Sequence, residues 1–238
     1  KNLNSSVKDL KIGIPKEYLS DDLPKEIQDY WNEGKKILSE NGAEIIEISL
    51  PSTKIALSAY YIIAPAEASS NLSRYDGVRY GLRVKGENLT EMYEATRSEG
   101  FGDEVKRRIM MGTYVLSSGY YDAYYIKAQK IRSIIKSDFD LAFKNVDAIF
   151  TPTTPNTAFP ISKEELDPVQ NYLNDIFTVP ANLAGLPAIS IPFGLCKFGL
   201  PIGMQLITNT FKEQMLLNIA KNLQDSINFN ARPNQWWK

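Results

Sequence analysis

Histidine is absent from the 238 residues. Ser-His-Asp triads, Cys-His pairs, imidazole bases and imidazole metal ligands are therefore excluded together. Hydrolytic chemistry is left with serine activated by lysine, or with carboxylates. Ser117-Ser118 precedes Lys127 and Lys130, but serines and lysines are abundant and this spacing carries no activating context, so no nucleophile is assigned. Cys196 is the single cysteine; it reads as a small apolar residue near a turn rather than a reactive thiol, and it allows no intrachain disulfide. By residue type alone, Lys106-Arg107-Arg108 is a solvated helical face. Asp175, ahead of an apolar run, is a helix cap. Tyr60, in Ala59-Tyr60-Tyr61-Ile62-Ile63, is a core or interface tyrosine.

The elements that must position these residues read as α/β. Lys11-Ile12-Gly13-Ile14 is a short apolar run ending at Pro15, a buried strand stopped by a residue without an amide donor. A helix follows, with Asp21 and Asp22 as capping oxygens, Pro24 in the first turn, and Ile27, Tyr30, Trp31, Gly34 and Leu38 on one face until Gly42. Glu44 to Leu50 alternates as a second strand, completing a strand-helix-strand unit. Residues 53–145 read as mainly helical, ending in a stripe of Tyr124, Ala128, Ile131, Ile135, Phe139 and Ala142, with Lys127, Lys130 and Lys136 largely off it. Ala148-Ile149-Phe150, Ala188-Ile189-Ser190-Ile191 and Met204-Gln205-Leu206-Ile207 are short strands, and Phe211 to Asp225 is a closing helix. Periodicity is lost near Ala231, and about 229–238 reads as a poorly ordered or partner-dependent tail carrying Trp236 and Trp237.

Composition bounds the partners. With 27 basic and 28 acidic residues, the chain has no cationic excess to draw it non-specifically onto nucleic acid. No window approaches the roughly 18 apolar residues a membrane span needs, and Lys1 to Leu10 is polar, so a cytoplasmic protein without membrane contact is expected. The start at Lys1, without Met and directly ahead of a strand-like run, suggests a fragment, although processing gives the same start.

The run Asn182 to Gly194, Asn-Leu-Ala-Gly-Leu-Pro-Ala-Ile-Ser-Ile-Pro-Phe-Gly, resembles the segment in which amidase-signature enzymes lead a helix end into a core strand beside the active site. Gly199 to Leu206 resembles the family's next strand, and Thr151-Pro152-Thr153-Thr154-Pro155 its proline-rich strand exit. Glu67 to Gly81, Arg97 to Gly102, Lys106 to Ile109 and Ser117 to Tyr125 narrow the resemblance to the A-subunit family of tRNA-dependent amidotransferases. It spans Leu10 to about Gln224.

The resemblance implies the C-terminal part of an amidase-signature fold, a mixed β-sheet covered by helices, over residues 1–238. It further implies a share in converting Glu-tRNA(Gln) to Gln-tRNA(Gln), with ammonia taken from glutamine and with ATP. The family's Ser/Ser/Lys core lies ahead of the region present, and no Gly-Gly-Ser-Ser-Gly-like segment occurs here, so no catalytic residue is expected in this chain, the N-terminal catalytic half is expected to be missing, and the chain alone is expected to be inactive. Carried over residue by residue, the glutamine-binding residues are Arg108 for the α-carboxylate, Asp175 for the α-ammonium and Tyr60 as an orienting hydroxyl. No cofactor is expected in this chain; ATP and Mg belong to a partner B subunit, which also holds most of the tRNA, and a C subunit completes a heterotrimer. The rival readings are a fragment of another amidase-signature hydrolase and a non-catalytic interaction module.

Overall fold

The structure is a computed structural model and describes residues 3, 6–19, 23–159 and 173–232. It divides into two compact units, one of residues 1–57 and 133–238, the other of residues 58–132.

The first unit is built on five strands: β1 (Lys11–Pro15), β2 (Glu44–Ile48), β3 (Ala148–Pro152), β4 (Ala188–Leu195) and β5 (Pro201–Thr208). Their order is β2-β1-β3-β5-β4. β1 runs parallel to β2 and β3, whereas β5 is antiparallel to β3 and β4, so the sheet is mixed as expected. β1 includes Pro15, paired with Ile48 at the ladder's end, where a missing donor costs least. β2 stops at Ile48, short of the expected Leu50, because the Leu50 amide (2.8 Å) and the Ser49 hydroxyl both donate to Glu17.

Helix α1 (Lys25–Glu40) buries Ile27, Trp31, Gly34 and Leu38, the spacing that sets one face of a helix against a sheet. Pro24 is its N-cap rather than a first-turn residue, and no side chain caps it; Asp21 and Asp22 lie outside the described residues. The closing helix runs Glu213–Ile227 and buries Leu216, Ile219, Ala220 and Leu223. It starts two residues later than expected because Phe211 is exposed with φ 62°, which no helix accommodates. These two helices pack with Ile12, Ile14, Phe150, Phe193, Met204 and Leu206 in one core. Fully burying such side chains contributes roughly 1.5–3 kcal/mol each. Trp31 Nε1 also donates to the Phe150 carbonyl at 3.1 Å, tying α1 to the central strand.

The second unit is helical. It comprises most of α2 (Ala56–Leu72), then α3 (Leu89–Gly100), α4 (Asp103–Val115), a π-helical turn (Tyr121–Ile126) and the start of α5 (Lys127–Ala142). The stripe expected on the last helix holds for Ala128, Ile135, Phe139 and Ala142, which are buried. Tyr124 is exposed instead, because the π-helical turn shifts the phase ahead of α5. Between β3 and β4 the short helix α6 (Val179–Ala184) ends at Gly185, whose φ of 67° is the left-handed conformation that glycine adopts without strain; the closing helix Glu213–Ile227 is α7. Residues 233–238, including Trp236 and Trp237, lie outside the described residues. No helix among the described residues is long and apolar enough to cross a membrane.

Candidate functional site

Helix α4 opens with Asp103 and Glu104, acidic residues in a first turn where the helix dipole favours them. One turn on stand Arg107 and Arg108, and both reach back to Glu104. Arg108 Nε donates to Glu104 Oε1 at 2.9 Å, and Arg107 Nη1 donates to Oε2. The hydrogen bond from Arg108, opposed by partial burial and reinforced by its charge and by Arg107, holds the Glu104 carboxyl below its ordinary pKa. Arg108 Nη1 also donates to the Tyr60 hydroxyl at 3.3 Å, and the guanidinium stands 6.0 Å over the Tyr61 ring. Hydrogen bonding to Glu104 outweighs desolvation and raises the Arg108 pKa, so the group is permanently cationic. Its side chain is 32% exposed, against 55% for Arg107.

Two helices hold this arrangement. Tyr60 and Tyr61 lie on α2, where their rings meet edge-on at 5.0 Å. Four residues after Arg108, a Cβ on Gly112 would collide with the Pro65 carbonyl of α2, so only glycine allows the two helices this approach. The Ser69 and Thr113 hydroxyls bond at 2.9 Å one turn further along α2. Beside them Tyr125 donates to Glu67 at 2.8 Å, in a small cleft also lined by Ser70, Leu116 and Tyr121.

Arg108 and Tyr60, singled out separately from the sequence, are thus joined by a hydrogen bond in the second unit, while Arg108 also pairs with Glu104 along the face of its own helix. Asp175 belongs to the first unit. It precedes α6 in a turn closed by its own backbone carbonyl, which accepts from the amides of Thr178 at 3.1 Å and Val179 at 3.0 Å. Its half-buried carboxylate caps nothing and meets no hydrogen-bond or ion-pair partner among the described residues. The turn is anchored to the sheet by buried Gln205, whose Nε2 donates to the Phe177 carbonyl at 3.0 Å and to Thr151 Oγ1 at 3.1 Å. Ile176 and Phe177 line an apolar cleft of about 320 Å³ with Tyr18, Leu23 and Thr53.

Ser117 donates back to the Tyr114 carbonyl at 2.7 Å, while Lys127 and Lys130 are exposed. Cys196 is buried in the core of the first unit. Sequence reasoning missed Glu104 and Gln205. The first had a usable signal, an acid four residues ahead of an arginine; the second had none, since its partners are 54 and 28 residues away.

Chemically, the Arg107-Glu104-Arg108 group carries a net charge of +1, two cations against one anion. Among the described residues Arg108 commits two of the five N–H donors of a guanidinium to hydrogen bonds, leaving three, both of those on Nη2 among them.

Comparison with known proteins agrees with this fold. The amidase family matches residues 1–217. The A subunit of the glutamyl-tRNA(Gln) amidotransferase from Pelagibacter ubique is 63% identical over 237 residues, covering 100% of this chain and 49% of that protein. Its counterpart from Parvibaculum lavamentivorans is 58% identical, over 99% of this chain and 48% of that protein. The chain therefore spans about half the length of the curated relatives it matches. Among solved structures, the glutamyl-tRNA(Gln) amidotransferase A subunit from Thermotoga maritima superposes with a TM-score of 0.74 at 38% identity, over 97% of this chain and 45% of that one. A peptide amidase with a TM-score of 0.72 and 21% identity, over 97% of this chain and 46% of that one, shares the fold.

Proposed function

The chain belongs to the amidase family, and from that premise we propose that it forms the glutamine-holding portion of the A subunit of a glutamyl-tRNA(Gln) amidotransferase. In this reading the nucleophilic serine comes from the part of the relatives' length that this chain does not span, and the chain alone hydrolyses nothing. Attack on the glutamine side-chain amide forms an acyl-enzyme and releases ammonia. A B subunit, which binds most of the tRNA, uses that ammonia with ATP and Mg to amidate Glu-tRNA(Gln); a C subunit completes the cytoplasmic heterotrimer.

Within this chain, Arg108 takes the α-carboxylate of free glutamine, Asp175 the α-ammonium, and Tyr60 orients the substrate. The observation that carries the reading is the state of Arg108: held on two sides by Glu104 and Tyr60, half-buried, and still offering N–H donors. Tyr60 supports it, because its oxygen accepts from Arg108 and its own proton remains to be donated. Asp175 supports it too, as a half-buried carboxylate without a partner among the described residues.

The test uses the complete amidotransferase. Arg108→Ala removes a charge-assisted contact and leaves the ligand carboxylate unpaired, a loss of about 2 to 5 kcal/mol in glutamine use. Free ammonia must still serve as nitrogen donor, since it bypasses the glutamine pocket. Equal glutamine-dependent rates in variant and wild type, or equal loss of the ammonia-dependent reaction, would refute the assignment.

A further inference from the structure

We propose that Glu104 is the positioning residue for Arg108, fixing the guanidinium so that its unengaged donors meet the carboxylate of the substrate. The inference rests on the assignment of Arg108 above.

Three observations converge on Glu104. Its carboxylate is divided, one oxygen to each arginine, so neither guanidinium is fully neutralised. It engages Arg108 through Nε, the nitrogen nearest the backbone, which constrains the long side chain while leaving both terminal Nη2 protons uncommitted among the described residues. Tyr60 then restrains Nη1 from α2, so the guanidinium plane is fixed from two different helices. An arginine left alone on a helix samples many rotamers, and ordering it on ligand binding lowers affinity; Glu104 orders it beforehand. The alternative, a competing carboxylate that shields Arg108 from the ligand, is disfavoured by the sharing with Arg107, which keeps the group at +1.

An exposed pair four residues apart on a helix adds little to stability. A purely structural Glu104 would therefore leave no kinetic trace. Loss of a positioning Glu104 raises the glutamine KM without touching the reacting atoms.

The experiment compares wild type, Glu104→Gln, Arg108→Ala and the double variant in the complete amidotransferase, measuring KM and kcat for glutamine together with the melting temperature. Glu104→Gln is expected to raise KM about tenfold with kcat held within about twofold, the size of one weakened charged contact. In the double variant the losses must not add, because Glu104 acts only through Arg108. Glu104→Asp keeps the charge but shortens the reach, and gives an intermediate KM. An unchanged or lowered KM in Glu104→Gln, with Arg108→Ala impaired, overturns the positioning role and spares the pocket. Additive losses overturn it as well, as does a KM rise explained by a fall in melting temperature. If Arg108→Ala itself leaves glutamine use intact, the pocket assignment fails and this inference falls with it.

Discussion

Arg107 and Arg108 differ by one position and about 100° on α4. From the sequence, that rotation makes Arg107 the natural silent control for Arg108. The structure removes that role, because both side chains donate to the same Glu104 and a change at Arg107 redistributes the carboxylate Arg108 depends on. Lys106, paired outward with Asp103 at 3.7 Å, is the cleaner control. A second residue shows how burial and bonding separate. Tyr18 is 4% exposed and its ring lies tilted by 46° against Phe177 at 4.9 Å, and burial pushes its phenol well above the ordinary tyrosine range. Its hydroxyl neighbours Thr53, but Thr53 Oγ1 spends its proton on the Leu50 carbonyl at 2.7 Å, and no bond of normal length reaches Tyr18 among the described residues. Removing a buried donor that is already unsatisfied leaves nothing further to lose. Tyr18→Phe is therefore expected to be neutral or stabilising in denaturant unfolding; a loss above about 1 kcal/mol, the worth of a typical made hydrogen bond, would show that the hydroxyl has a partner.

At the scale of elements, the α2–α4 contact is what brings Tyr60 to Arg108, and it depends on Gly112 lying against the Pro65 carbonyl. Elsewhere inside a helix, glycine to alanine raises stability by roughly 0.5–1 kcal/mol. At Gly112 the sign must invert: Gly112→Ala forces the helices apart and costs about 1–3 kcal/mol, read by chemical denaturation. An increase in stability would contradict the close approach. Periodicity made α1, α7 and most of α5 legible in advance, because Ile27, Trp31, Leu38 and Ile135, Phe139 each repeat a buried face. It misplaced Tyr124, since the π-helical turn inserts a phase shift that no apolar pattern announces. Of the candidate site, Arg108, Tyr60 and Asp175 were reached by resemblance. The bond between the first two, and the Gln205 anchor two residues beyond Asp175, arise only from tertiary contact.

At the scale of the whole molecule, two units share one chain: a mixed sheet covered by helices, carrying Asp175, and a helical unit carrying Arg108 and Tyr60. The chain passes from one to the other inside α2 and returns inside α5. It spans about half the length of its curated relatives, and the part proposed for it is to hold the substrate while the nucleophile comes from elsewhere. Holding implies selectivity for the charged ends of glutamine. The most direct measurement is therefore kcat/KM of the complete amidotransferase for glutamine and for its α-carboxamide analogue, in wild type and in Arg108→Ala. The wild type is expected to favour glutamine by a factor of about 30 or more, the lower end of a charged contact, and Arg108→Ala to lose most of that preference by losing the glutamine rate alone. A preference equally large in both proteins would contradict the account.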